Sequence, residues 1–249
     1  MTDITGFVAS TYMRGVRFAF LPTTLLGQVD ASIGGKNGVN LDGYKNIIGV
    51  FSQPSFVLCD PALLNSLSDR EFRAGLAEVV KAAVIGDTGL FTLLEKHSFE
   101  EIRSDTELLH EIILRAIKVK TSIVERDQHE YGERRKLNLG HTFAHAIEKS
   151  FSNMSHGEAV AVGICMICNA AVRAGRLDAA TSSRIINLIE RLGLPVEPPV
   201  DIKQLLIFTR ADKKREGDSI YIVYPTAIGN CSAEKTHIDE LDSIFMPET

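Results

Sequence analysis

In the run Asn138-Leu-Gly-His-Thr-Phe-Ala-His145, two histidines stand four residues apart, and a third follows in Ser155-His-Gly-Glu158. On a helix, positions i and i+4 share one face, so His141 and His145 can converge on one point. His156 opens a long apolar run, and the loop ahead of it can return its ring to the same place. Converging imidazoles assemble a metal site that keeps positions open for a ligand.

Charges inside apolar helical stripes extend this reading. In Ala74-Gly-Leu-Ala-Glu-Val-Val-Lys-Ala-Ala-Val-Ile85, Glu78 and Lys81 share one face at spacing i, i+3. Lys120 interrupts a second stripe formed by Leu109, Ile112, Ile113, Ala116, Ile117, Ile123 and Val124. A structural helix keeps such a stripe free of charge. Buried charge costs several kcal/mol unless it meets an opposite charge, a metal or a substrate. The plain alternative is an internal Glu78–Lys81 pair with Lys120 snorkelling outward. Two imidazoles and one carboxylate form a common catalytic zinc set. Three histidines plus Glu78 leave one imidazole over, suited to proton transfer near neutral pH. His97, His110 and His237 lie in polar surroundings, and His129 fits either a surface or a site.

Basic groups supply a second theme. Gly34-Gly-Lys-Asn-Gly38 sets Lys36 on a glycine turn where backbone N–H groups can meet an anion, although the Walker A spacing is absent. Lys45, Asn46, Lys81, Lys120, Arg134, Lys213 and Lys214 are further candidates for a local phosphate or carboxylate site. Solvation is the alternative for each cation singly.

The elements that must carry these residues divide in two. Helical pattern covers residues 7–13 and 25–31, and strand pattern covers 16–21 and 55–59. That alternation belongs to a parallel sheet with crossover helices, but two strands do not form a stable sheet. From residue 61 the pattern is helical. Capping boxes at Ser68-Asp-Arg-Glu71 and Ser104-Asp-Thr-Glu107 open helices reaching about residues 85 and 126. Further helices cover about 137–149, 157–174 and 179–192, and residues 220–225 begin a short β excursion. The expected fold is therefore mixed α/β. A partial Rossmann-like segment over residues 1–60 precedes a mainly helical metal- and substrate-binding domain over 61–249.

Composition narrows the class. The chain has 249 residues, 45% hydrophobic, with a net charge of −5, so it can bury a sizeable core and its overall balance does not suggest a nucleic-acid partner. No apolar run is long enough to span a bilayer. The first residues lack a basic and apolar leader pattern, so a cytoplasmic setting is expected. The four cysteines do not form a disulfide pattern, and Cys165 and Cys168 read as buried core thiols.

At this point the residues resemble a family. Leu137-Asn-Leu-Gly-His-Thr-Phe-Ala-His-Ala-Ile-Glu148 with His156-Gly-Glu-Ala-Val is similar to the metal-binding heart of 3-dehydroquinate synthases. Arg14-Gly15, Leu21-Pro-Thr-Thr-Leu-Leu26, Gln28-Val-Asp30, Ser32-Ile-Gly-Gly-Lys36, Lys45-Asn-Ile-Ile-Gly49, Gln53-Pro54 and Arg73-Ala-Gly-Leu-Ala-Glu-Val-Val-Lys81 add to it, in the family's order.

The resemblance implies roles. Glu78, His141 and His156 hold zinc, although cobalt accepts the same ligands. His145 and Glu130 handle protons, with Lys120 and Asn138 also in the catalytic set. Lys36, Asn46, Lys81, Lys120, Arg134, Asn138 and Lys213 (rather than Lys214) grip a phosphorylated sugar acid, and Arg14 reaches the partner's site in a homodimer. Asp3, Thr23, Thr24, Asp30, Lys36 and Lys45 face NAD.

The implied reaction converts 3-deoxy-arabino-heptulosonate 7-phosphate to 3-dehydroquinate and phosphate, in the shikimate route to aromatic amino acids. Asn37 departs from the family's usual threonine. The family carries further sequence ahead of this start, so an N-terminal truncation is expected, with residues 2–6 as the tail of a glycine-rich turn. Such a chain would bind zinc, hold NAD poorly, turn over little, and expose apolar surface. A related sugar-phosphate cyclase and an inactive metal-binding fragment are the competing readings.

Overall fold

The computed structural model describes residues 1–41, 44–151, 153–213 and 218–246, without the side chains of residues 44–45 and 211–213. Helix α1 spans Thr2–Thr11, so residues 2–6 are helical rather than the tail of a turn. The buried Gly6 lets this helix lie against the Lys36–Leu41 strand, because a Cβ there would lie 1.8 Å from Asn37 Oδ1. Asn37, the departure from the family's threonine, is itself buried and donates to the carbonyls of Gly35 and Ser52 at 3.1 and 2.8 Å.

The two expected strands run parallel but meet through one bridge, Phe20–Val57, rather than a full ladder. Between them a π-helical turn covers Gly27–Ala31. An antiparallel hairpin that periodicity did not reveal, β1 Lys36–Leu41 with β2 Tyr44–Phe51, follows the glycine turn. Gly34 and Gly35 have φ +102 and +69, which aims that turn.

The helical part begins at α2, Asp69–Gly86, whose N-cap Ser68 accepts the Glu71 N–H at 3.3 Å. Helices α3 (Thr88–Lys96) and α4 (Phe99–Ser104) lead to α5, Thr106–Arg126. The cap of α5 is Asp105 and not Ser104. The Asp105 carboxylate accepts from Glu107 and Leu108, whereas the Ser104 hydroxyl donates back to Glu100. A 3₁₀ turn, Glu133–Asn138, then precedes α6 (His141–Ser150) and α7 (His156–Arg173). Leu137 and Asn138 therefore belong to the 3₁₀ turn, and α6 starts only after Gly140, at φ +80.

Helix α7 is buried along nearly its whole length and packs on α2 and α6. Around it lie α8 (Ala179–Arg191), α9 (Ile202–Lys213), the antiparallel hairpin β3 Ser219–Ala227 and β4 Asn230–His237, and α10 (Leu241–Phe245). The result is mixed α/β with helix dominating. Cys165, Cys168 and Cys231 are buried free thiols, and burial pushes Cys165 and Cys231 up to about 12. No helix is long and apolar enough to cross a membrane among the described residues.

Candidate metal centre

Three elements deliver the metal-ligand candidates. Glu78 projects from the middle of α2, His141 is the first residue of α6, and His156 is the first of α7. Their ligand atoms all lie within 4.8 Å of one another. His156 Nε2 is 3.4 Å and His141 Nε2 3.8 Å from Glu78 Oε1. Glu78 is 2% exposed, and the Lys81 ammonium sits against its Oε2. Lys81 reaches Oε2, whereas Oε1 faces the two imidazole nitrogens. A buried carboxylate oxygen facing two imidazole nitrogens fits a divalent cation.

The outer nitrogens of both rings are held. His141 Nδ1 lies 3.1 Å from the Leu139 carbonyl, and His156 Nδ1 lies 3.3 Å from Glu148 Oε1. This fixes Nε2 of each toward the centre. Burial, followed by Lys81, pushes His141 down to about 3, so its imidazole is neutral. For His156 burial works in the same direction, but Glu148 and Glu78 prevail and raise it to about 10. Burial likewise opposes ionisation of Glu78, yet Lys81 and the two imidazoles hold it well below the usual carboxylate range.

His145, itself exposed, lies beside His141 on α6, its ring centroid 5.6 Å from that of His141. Both line a cavity of about 490 Å³ together with Glu130 and Asn138. Glu130, at φ +64, takes the Lys36 ammonium on one oxygen and the Asn138 amide on the other.

Lys81 and Lys120 are both buried and converge on Asp30. Its Oδ1 is 3.6 Å from Lys81 Nζ and 2.6 Å from Lys120 Nζ. Burial lowers the Lys120 ammonium below its ordinary range despite Asp30. Burial acts equally on Lys81, but Glu78 and Asp30 outweigh it and hold Lys81 high. Asp30 is lowered, because the two ammonium groups overcome burial. Its carboxylate therefore serves those two lysines here.

The remaining candidates are more dispersed. Arg134 is buried and donates to the carbonyls of Gly34 (2.8 Å) and Gln128, so it clamps the turn that carries Lys36. Asn46 has φ +51, and its N–H donates to Asn40 Oδ1 at 3.0 Å. Asp3 is half-buried on α1, where burial raises its carboxyl. Thr24 Oγ1 accepts the Gly27 N–H at 3.0 Å, and Thr23 is exposed. Arg14 is exposed at φ +67. The side chains of Lys45 and Lys213, and all of Lys214, lie outside the described residues.

Sequence reasoning left Glu148 and the Leu139 carbonyl without roles. Glu148 had a readable signal, because it lies seven residues after His141 and so falls on the same face of α6. Asp30 as the shared anion of two lysines from different helices had none.

Comparison with known proteins decides the family. Residues 75–215 match the model of the 3-dehydroquinate synthase C-terminal region, and residues 1–74 match its N-terminal region. The chain belongs to the 3-dehydroquinate synthase family. It is 44% identical over 235 residues to a 3-dehydroquinate synthase of Prochlorococcus marinus strain MIT 9313, covering 92% of this chain and 63% of that protein. A Microcystis aeruginosa relative of the same name is 46% identical, with 91% and 63% covered. One from Dictyoglomus thermophilum is 40% identical, with 97% and 68% covered. The chain thus spans about 63% of the length of the first of these family members.

Among solved structures, 2-epi-5-epi-valiolone synthase from Streptomyces hygroscopicus subsp. jinggangensis 5008, with NAD+ and Zn2+ bound, superposes with TM-score 0.88 at 32% identity. That match covers 98% of this family member and 69% of the synthase. A 2-deoxy-scyllo-inosose synthase complexed with carbaglucose-6-phosphate, NAD+ and Co2+ shares the fold at TM-score 0.83 and 23% identity, covering 98% and 69%.

Proposed function

We propose that this chain carries the metal- and substrate-binding residues of a 3-dehydroquinate synthase, a lyase that converts 3-deoxy-arabino-heptulosonate 7-phosphate to 3-dehydroquinate and phosphate. The observation that carries the reading is the convergence of Glu78, His141 and His156 beside the cavity that His145, Glu130 and Asn138 line. Relatives of that name at 40–46% identity favour it over a related cyclase, for which the valiolone synthase at 32% is the stronger likeness.

Glu78, His141 and His156 would hold zinc, or cobalt, which polarises a substrate oxygen when bound. NAD, when bound, supplies reversible hydride acceptance that acidifies a neighbouring C–H. Asp3, Thr23, Thr24, Asp30, Lys36 and Lys45 are the residues proposed to face it. The protein's own groups orient the substrate and move protons. His145 and Glu130 exchange protons with bound substrate, and Lys36 and Asn138 set the direction of the Glu130 carboxylate. Lys81 and Lys120 place positive charge behind the metal ligands. With Asn46, Arg134 and Lys213 they hold an anionic substrate in the arrangement its elimination requires, a proximity effect.

In this reading residues 1–60 and 61–249 act as two units, with the cavity formed mainly by the second. A cytoplasmic homodimer, in which Arg14 reaches the partner's site, completes the reading. The exposed positive-φ turn at Met13 and Arg14 suits that contact.

The test is phosphate release from the heptulosonate phosphate by the native protein bearing this sequence, saturated with zinc and NAD. Release that is abolished in Glu78→Gln is expected. Absence of release from the folded, zinc-loaded protein overturns the reading. Turnover of a heptulose phosphate lacking the acid group in its place would assign the related cyclase.

A further inference from the structure

The cations assigned above to the substrate are engaged within the protein wherever their side chains are described. Lys36 meets Glu130, Lys81 meets Glu78, Lys120 meets Asp30, and Arg134 donates to two carbonyls. Arg135 differs. It lines the 490 Å³ cavity, and among the described residues its guanidinium pairs with no carboxylate. It lies instead over the Tyr221 ring of β3, 3.8 Å from the centroid.

Local geometry explains why Arg134 and Arg135 part company. Both belong to the 3₁₀ turn Glu133–Asn138, in which residues i and i+3 eclipse. Arg135 therefore shares a face with Asn138, and both line the cavity. Arg134 faces away and is buried against Gly34. Stacking on an aromatic face leaves the N–H edge of a guanidinium available, and that edge matches a carboxylate or a phosphate in a planar, two-pronged contact.

We infer that Arg135, held on Tyr221, is a ligand-binding residue that grips an oxyanion of the molecule in this cavity. Tyr221 is the positioning residue that keeps the guanidinium extended over the space beside His141 and His145. The inference rests on the proposed use of the cavity for an anionic substrate, and it adds a contact from outside the motifs that led to that reading. Phosphate and carboxylate share the required chemistry.

Calorimetry on the zinc-loaded chain with inorganic phosphate, and separately with malonate, tests it. Arg135→Gln should weaken the preferred anion roughly ten- to a hundredfold while zinc affinity is retained. Arg135→Lys, which keeps the charge without the fork, should fall between the two. Tyr221→Phe should bind as the parent does, and Tyr221→Leu should lose several-fold. Tighter phosphate assigns a phosphoryl contact, and tighter malonate a carboxylate contact. Unchanged anion binding in Arg135→Gln with zinc bound overturns the inference and leaves the proposed reaction standing. So does a parent chain that binds neither anion. Loss of anion binding in Arg135→Gln, with no turnover by the native protein, would sink the reaction and keep the anion site.

Discussion

Lys120 Nζ lies 2.6 Å from Asp30 Oδ1 and 2.7 Å from the Asp30 carbonyl oxygen, which fastens the C-terminal half of α5 to the π-helical turn. This contact ties a residue expected to hold substrate to one expected to face NAD. Lys81 from α2 completes the triad, so the Asp30 carboxylate faces two ammonium groups, one of which Glu78 also offsets.

Removing that carboxylate should therefore be costly. Breaking a buried ion pair costs about 3–5 kcal/mol, because the remaining charge is stranded. Asp30 keeps 23% of its side-chain exposure, which puts Asp30→Asn near the lower end. Urea denaturation should show that loss, and Lys120→Met added to Asp30→Asn should recover part of it. A loss below about 1 kcal/mol would mean that the pair is solvated and contributes little.

The Glu148 carboxylate, 3.3 Å from His156 Nδ1, should govern metal affinity without touching the metal. Groups that orient a ligating imidazole are worth about 10- to 100-fold in affinity. Glu148→Gln should weaken zinc by that factor in competition with a chromophoric chelator, and His145→Ala should change it far less. Equal effects of the two substitutions would contradict the division of roles between His156 and His145.

These residues also show what the sequence could and could not disclose. His141, His145, Glu148 and the Glu78–Lys81 pair are readable because helical periodicity converts spacing into a shared face. The helices that carry them, α2 and α6, are readable too, whereas α3, α4, α9 and α10 are not drawn from the sequence pattern. The β1–β2 hairpin was hidden, because Asn37, Gly38, Asn46 and Gly49 interrupt its apolar alternation. The cap of α5 was misplaced by one residue, since Ser104 and Asp105 are both good caps and only geometry shows which one turns inward. Contacts such as Asp30 with Lys120 join segments 90 residues apart, and no local pattern encodes them.

The loop after α5 offers a pH readout. The Asp127 carboxylate accepts the N–H groups of Tyr131, Gly132 and Arg134 at 3.0, 2.7 and 3.0 Å, and so folds the segment that carries Glu130. The Arg134 N–H leads in holding its pKa below the ordinary value. A depressed folded pKa means that the stabilisation is fully present above the unfolded value of about 3.9 and is lost as pH falls through the folded one. The Gly132 amide proton resonance should therefore titrate with a midpoint below that of a model aspartate. It should stay flat from about pH 5 upward. A midpoint at or above about 3.9 would show that the carboxylate does not organise this loop.

Helix α7 packs closely on the turn before α6 because Gly163 presents no side chain there. A Cβ at Gly163 would lie 2.0 Å from the Gly140 carbonyl oxygen, and the obstacle is backbone, which cannot rotate aside. Gly140 stands immediately before His141, so a push there moves a proposed metal ligand rather than a distant core residue. Overpacking of this kind costs about 1–3 kcal/mol, occasionally more. Gly163→Ala should lower the denaturation midpoint accordingly. It should also weaken zinc, while Gly175→Ala, at a position with no atom within 4 Å of its Cβ, should destabilise through its φ of +64 and leave zinc affinity alone. If the two variants lose stability but bind zinc equally well, the Gly140–Gly163 contact is a packing feature only, and the placement of His141 is set elsewhere.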